Sequence, residues 1–150
     1  MKKEIIIPAI ENGTVIDHIP SKVTFRVMRL LDPKEYTNTI NVALNLESKK
    51  MGKKGLIKIS GRMLTQDMVN KVALLAPSAT VSIIKDYSVS KKVVVKVPEM
   101  IINLVKCTNP NCITNMEEVN TKFLTIKEIP LKLRCVYCER EISREDIQLK

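Results

Sequence analysis

The sequence contains no tryptophan, and aromatic residues make up only 3% of its 150 positions. An extended platform for stacking single-stranded bases is therefore not expected. No apolar run approaches the roughly 18 residues of a membrane-spanning helix. The start, Met1-Lys2-Lys3-Glu4-Ile5-Ile6-Ile7-Pro8, is too short for a signal peptide, so the chain reads as a cytoplasmic protein with no membrane partner. Only four glycines are present, and neither a GxGxxG nor a GxxxxGK(S/T) string occurs, which excludes the usual glycine-rich phosphate loops. With a single histidine, His18, and no serine or threonine in a marked neighbour motif, no nucleophile, base and orienting carboxylate can be assembled. No catalytic residue is expected.

What the chain does have is core-forming material and an uneven charge. At 45% hydrophobic and 27% charged residues it can bury a real core, which argues against disorder. Lysine and arginine total 25 against 16 acidic residues, a net charge of +9 that points towards polyanionic partners. Residues 1–98 hold 17 basic and 8 acidic residues, whereas residues 99–150 hold 8 of each, so the whole excess lies in the first part. All four cysteines fall in the second. Two modules follow, 1–98 and 99–150, joined near Val97-Pro98-Glu99, where Pro98 ends a β-rich run over Val93–Val97.

Within the first module, Ile5, Ile6, Ile7, Ala9 and Ile10 predict an opening strand, and Asn12-Gly13 a turn into a second extended piece, Thr14–Ile19. Val23, Val27, Leu30 and Leu31 recur at helical spacing between Ser21 and Asp32-Pro33. Ile40, Val42, Leu44 and Leu46 alternate as a strand, a basic loop spans 49–55, and Leu56–Ile59 forms a short partner strand. Thr65 is placed to cap a second helix with an apolar face of Val69, Val72, Ala73 and Ala76. Ala79–Ile84 and Val89–Val97 supply one or two further strands. The order is that of an α+β, ferredoxin-like antiparallel sheet carrying two helices on one face. Its exposed edge offers a route to a homodimer by sheet continuation.

In the second module, Cys107 and Cys112, then Cys135 and Cys138, form two close pairs separated by 22 residues. Two short loops of this kind can bring four thiolates onto one tetrahedral metal, for which Zn2+ is the natural occupant, one per chain. Two disulfides are the alternative, disfavoured in a reducing compartment. With four sulfur ligands no position is open for water, so the metal is structural and the module is a small β-rich zinc domain with an all-cysteine ligand set. Phe123–Ile126 and Leu131–Arg134 alternate as a pair of strands behind the loops. Lys54 and Lys58 share strand parity, and together with Lys92 they can clamp a polyphosphate as point charges. The rival reading is a solvated basic loop, and, for the whole chain, a zinc ribbon nucleic-acid-binding protein. Sparse aromatics and a charge-balanced zinc module weigh against nucleic acid.

Four strings occur together: Gly-Thr-Val-Ile-Asp-His-Ile-Pro at 13–20, Met-Gly-x-Lys-x-Leu-Ile-Lys-Ile at 51–59, Ala-Pro-x-Ala-Thr-Val at 76–81, and the Cys-x4-Cys and Cys-x2-Cys-Glu framework. Taken together they resemble the regulatory chain of aspartate carbamoyltransferase over nearly the whole length. The resemblance implies a non-catalytic subunit whose N-terminal domain dimerises and binds nucleotide effectors such as CTP, ATP and UTP. Its zinc domain would dock on the catalytic chain of that pyrimidine-biosynthesis enzyme. By position, the resemblance implies that Ala9, Ile10, Val15, Asp17, His18, Ile84, Tyr87 and Val89 surround base and ribose. Lys54, Lys58 and Lys92 would hold ribose hydroxyls and phosphates, and Asn109, Asn111, Glu139 and Arg140 would contact the catalytic chain. Two effector positions depart from the better-known members, with Pro8 in place of an acidic residue and Ser82 in place of asparagine. A single hydroxyl at Ser82 offers fewer donors and acceptors than an amide, which predicts a blurred preference between pyrimidine and purine triphosphates.

Overall fold

Along the first strand, β1 (Gly13–Pro20), Thr14 and Ile16 are fully buried while Val15 and Asp17 between them are half-exposed, and this alternation decides which way the N-terminal sheet faces. The computed structural model describes residues 7–150. They separate into two compact units, the first ending at Lys96 and the second spanning Val97–Lys150.

In the first unit β1 is followed by a 3-10 turn (Ser21–Val23) and helix α1 (Thr24–Leu30), then by strands β2 (Ile40–Ser48) and β3 (Gly52–Ser60). Helix α2 (Gln66–Leu75) and strands β4 (Thr80–Lys85) and β5 (Ser88–Val93) complete it. The sheet order is β2-β3-β1-β4-β5, with every neighbouring pair antiparallel. The first four strands and two helices give the ferredoxin-like βαββαβ arrangement, with β5 added by a tight hairpin. Thr65 caps α2 by accepting a hydrogen bond from the Met68 N–H at 3.3 Å. The core lies between helices and sheet: Ile16, Ile57, Ile59 and Val81 from the strands meet Val27, Val69, Val72 and Ala73 from the helices, all but inaccessible to water. Helix α1 comes so close to β3 that a β-carbon at Gly55 would overlap the Thr24 hydroxyl.

Three boundaries differ from those read in the sequence. Residues 7–12 form no strand, and Ile5 and Ile6 of the expected opening strand lie outside the described residues. Strand β3 begins at Gly52, so Lys53 and Lys54 belong to the sheet and not to a loop; pairing with Glu47 and Leu46 across the hairpin recruits them. Residues 94–97 lie beyond the end of β5, although their valines have high strand propensity, because no neighbouring strand pairs with them.

The second unit is built of short strands: β6 (Met100–Ile102), β7 (Val105–Lys106), β8 (Lys122–Lys127), β9 (Lys132–Cys135), β10 (Glu141–Ser143) and β11 (Gln148–Leu149), with a one-turn helix α3 (Ile113–Met116) after the second cysteine. They form a four-stranded sheet β10-β9-β8-β6 and a two-stranded ladder β11-β7. Ile101, Phe123, Leu133 and Ile142 make a thin core, one residue from each strand of the larger sheet.

Candidate metal centre and lysine face

The four cysteines converge. Their sulfur atoms all lie within 4.8 Å of one another, and the two shortest separations, Cys107 to Cys138 at 3.6 Å and Cys112 to Cys135 at 3.7 Å, each join one loop to the other. Disulfide sulfurs lie about 2.05 Å apart, so these thiols are not bonded to each other. Four sulfurs about 2.3 Å from a central tetrahedral ion would be about 3.8 Å apart, close to both observed distances. The donor set therefore fits a metal.

The surroundings suit thiolates. Backbone N–H groups two residues ahead point back at sulfur: Asn109 at Cys107, Tyr137 at Cys135, and Arg140 at Cys138. The Thr114 hydroxyl donates to Cys112 Sγ at 3.2 Å. Without a cation, burial pushes the Cys107 thiol up to about 12. At Cys138 burial also acts upward, but hydrogen bonds from the Arg140 N–H and the Asn109 side chain outweigh it and hold the thiol down at about 7. Asn115 steadies the first loop, its amide nitrogen donating to the carbonyls of Cys107 at 2.8 Å and Asn109 at 2.7 Å. Asn109 and Asn111 sit on this loop, and Glu139 and Arg140 follow directly on the second, so the four expected partner contacts flank one cluster.

In the first unit, the sheet face opposite the helices carries a row that is polar at every strand but β1. Across β2, β3, β1, β4 and β5, direct pairings align Asn41, Lys58, Val15, Ser82 and Lys92, and paired residues share a face. Lys58 and Lys92 thus stand about 14 Å apart at the backbone, three strand spacings, with Val15 and Ser82 forming the floor between them.

One pleat along, Asp17 pairs with Thr80 on the same face. Lys54 reaches this group, its ammonium 2.9 and 3.1 Å from the two Asp17 carboxylate oxygens, with both side chains about three-quarters or more shielded from water. Lys58 donates to the Pro8 carbonyl at 3.0 Å. Among the described residues Lys92 makes no ion pair. Among the described residues, the lysine cluster thus has one internally neutralised member and two without an ion-pair partner.

His18 would face the helices if β1 alternated regularly. It does not, because a bulge between Ile16 and Ile19 inserts one extra residue against β3, and His18 adopts a left-handed φ of 57°. The imidazole Nδ1 then lies 3.0 Å from the Thr80 hydroxyl, on the face of Asp17. At the other end of the face, Ile84 pairs with Val89 and the β4–β5 turn is formed by Asp86 and Tyr87, both left-handed. The turn is tied to the incoming chain by the Tyr87 N–H donating to the Glu11 carbonyl at 2.9 Å. Ala9 and Ile10 line a cavity of about 390 Å3 with Pro8, Asn41, Ser60 and Gly61, a volume within the usual range of small-ligand sites. The cavity meets the row at Asn41, which pairs with Lys58, and none of the three lysines lines it.

The twelve expected effector residues therefore gather on one sheet face, its cavity and its hairpin. Ser78, Thr80, Asn41 and Ser60 also belong to this region but were not singled out in the sequence. Asn41, Ser60 and Thr80 gave only the alternation with buried neighbours that every solvent-facing strand residue shares, and Ser78, in the link between α2 and β4, gave no local signal.

The fold and the cysteine cluster define the class, a two-unit metal-binding protein of ferredoxin-like sheet and cysteine-loop module. A family model described as aspartate carbamoyltransferase regulatory chain, allosteric domain, matches residues 5–96, and one described as the metal binding domain of the same chain matches residues 99–148. Aspartate carbamoyltransferase regulatory chains of Thermococcus sibiricus, Pyrococcus abyssi and Parabacteroides distasonis are 53%, 49% and 45% identical over 94%, 96% and 99% of this chain, and over 93%, 96% and 97% of their own lengths. The chain belongs to the aspartate carbamoyltransferase regulatory chain family, whose members are named as regulatory and not as catalytic chains.

Proposed function

We propose that this chain senses nucleoside triphosphates for an aspartate carbamoyltransferase holoenzyme and passes the signal to the catalytic chains through its metal domain. The observation that carries the reading is the row Lys58–Val15–Ser82–Lys92 beside the Lys54–Asp17 pair. A triphosphate lying across β1 and β4 meets the ammonium groups of Lys58 and Lys92 from opposite sides, while the base and ribose are met by Ala9, Ile10, Val15, Ile84, Tyr87 and Val89. Asp17 orients Lys54, and His18 closes the same end. Effectors of this kind, CTP, ATP and UTP, act by binding one quaternary state better than another.

The metal is Zn2+, one per chain, held by Cys107, Cys112, Cys135 and Cys138 in a closed sulfur set with no catalytic position. Its role is to hold the two loops rigid, so that Asn109, Asn111, Glu139 and Arg140 meet the catalytic chain in fixed geometry. The first unit dimerises along the free edge of β2, whose unpaired backbone groups favour sheet continuation. The chain works in the cytoplasm.

Calorimetric titration of the zinc-loaded chain with CTP and ATP tests the reading. Saturable binding that weakens as salt rises is the expected result. Absence of saturable binding, both to the dimer and to the holoenzyme, overturns it.

A further inference from the structure

Three polar groups converge on His18. Asp17 Oδ1 accepts from its N–H at 2.6 Å, the Ser78 hydroxyl donates to its carbonyl at 2.9 Å, and Thr80 Oγ1 lies 3.0 Å from Nδ1. Two of the three grip the backbone of this one left-handed residue, so they stabilise a backbone conformation as well as a ring position. That conformation is unfavourable for a non-glycine residue, and such strain persists only where the surroundings enforce it. Ser78 lies in the link between α2 and β4, sixty residues from His18 in sequence, and its own side chain touches no lysine of the row.

We infer that Ser78 is a positioning residue of the effector face: by donating to the His18 carbonyl it holds the β1 bulge in its left-handed form and so keeps the imidazole on the side of Lys54, Lys58 and Lys92. Without the bulge, strand alternation returns His18 towards the helix-covered side, and the end of the face beside Asp17 loses its only aromatic donor or acceptor. Ser78 acts through His18 and makes no contact with the ligand. The inference rests on the nucleotide-binding reading for its effect on affinity, but not for its effect on His18 itself.

His18 is the only histidine, so its ring signals can be followed by NMR without ambiguity. The test compares the zinc-loaded full chain with Ser78→Ala and Ser78→Thr, measuring CTP affinity by calorimetry, the His18 imidazole carbon and proton shifts, and the melting temperature. Ser78→Ala is expected to weaken CTP binding about three- to tenfold, the equivalent of one net hydrogen bond, and to move or broaden the His18 ring signals. Ser78→Thr keeps the hydroxyl and restores both. Unchanged ring signals in Ser78→Ala overturn the inference, as does an affinity loss that Ser78→Thr fails to restore while its melting temperature matches the wild type. If the wild-type chain binds no CTP, the functional reading falls, and the ring signals alone decide the role of Ser78: displaced signals uphold it and unchanged ones overturn it.

Discussion

Among the described residues, seven outside glycine have positive φ: His18, Asp32, Asn45, Asp86, Tyr87, Asn103 and Glu139. Asn and Asp tolerate this region because their short side chains bond locally, and His is moderately enriched there. Tyr87 and Glu139 have no such excuse, and they lie at the β4–β5 hairpin and beside the last cysteine respectively. Lys54 is the residue whose role is most open to a direct trial. Because it bonds both oxygens of a shielded Asp17, Lys54→Ala removes a ligand charge and also leaves Asp17 carrying an unpaired charge. CTP affinity should fall at least tenfold, about 1.4 kcal/mol, whereas Lys22→Ala, at a position off the face, should change it less than twofold. Equal effects in calorimetry would remove Lys54 from the site. The Lys54–Lys58 parity was legible in the sequence, since period-two alternation needs only a strand. The Asp17–Lys54 partnership was not, because the two residues are 37 positions apart and nothing local pairs them. The orientation of His18 was illegible for a different reason: alternation from Asp17 predicts the opposite face, and only the extra residue in the bulge reverses it.

At the scale of elements, the helices and the central strands were readable from their periods, and the shortfall lay in short or context-dependent pieces. Strands β6, β7, β10 and β11 have two or three residues each, too few for any period to register. Helix α1 begins at Thr24, three residues later than the apolar spacing suggests, because the chain first makes a 3-10 turn after Pro20. The fit of α1 on the sheet depends on Gly55. Replacing it with alanine forces a methyl onto the Oγ1, Cβ and Cγ2 atoms of the buried Thr24, a short side chain with little room to yield. Gly55→Ala should cost at least about 1–3 kcal/mol, the range for overpacking a core, read as a lower urea midpoint at unchanged slope. Gly52 is the control: its β-carbon position is open, so any loss there reports its left-handed φ of 76° alone.

For the molecule as a whole, the two units depend on different forces. The first has a layered core of helix and sheet, whereas the second has a single thin layer and a cluster of four cysteines. Chelating the metal should therefore unfold the second unit, since in modules this small metal binding supplies most of the folding free energy. The first unit should stay folded, dimeric and able to bind CTP while association with the catalytic chain is lost. Sedimentation and calorimetry on the chelated full chain check both halves, and retained association would show that docking does not need the metal-held loops. Retention of the metal should weaken as pH falls, because each thiolate ligand must lose a proton to bind, and Cys107 in particular holds its proton far above neutrality when no cation is present.

The sulfur cluster also makes the chain's electrophoretic behaviour depend on metal loading. Four protonated thiols carry no charge, whereas four thiolates around one dication carry −2, from 2 minus 4. On native electrophoresis at neutral pH, a preparation with mixed metal content should therefore resolve into two bands, the loaded form carrying the smaller positive charge. The ratio of the bands would give metal occupancy directly.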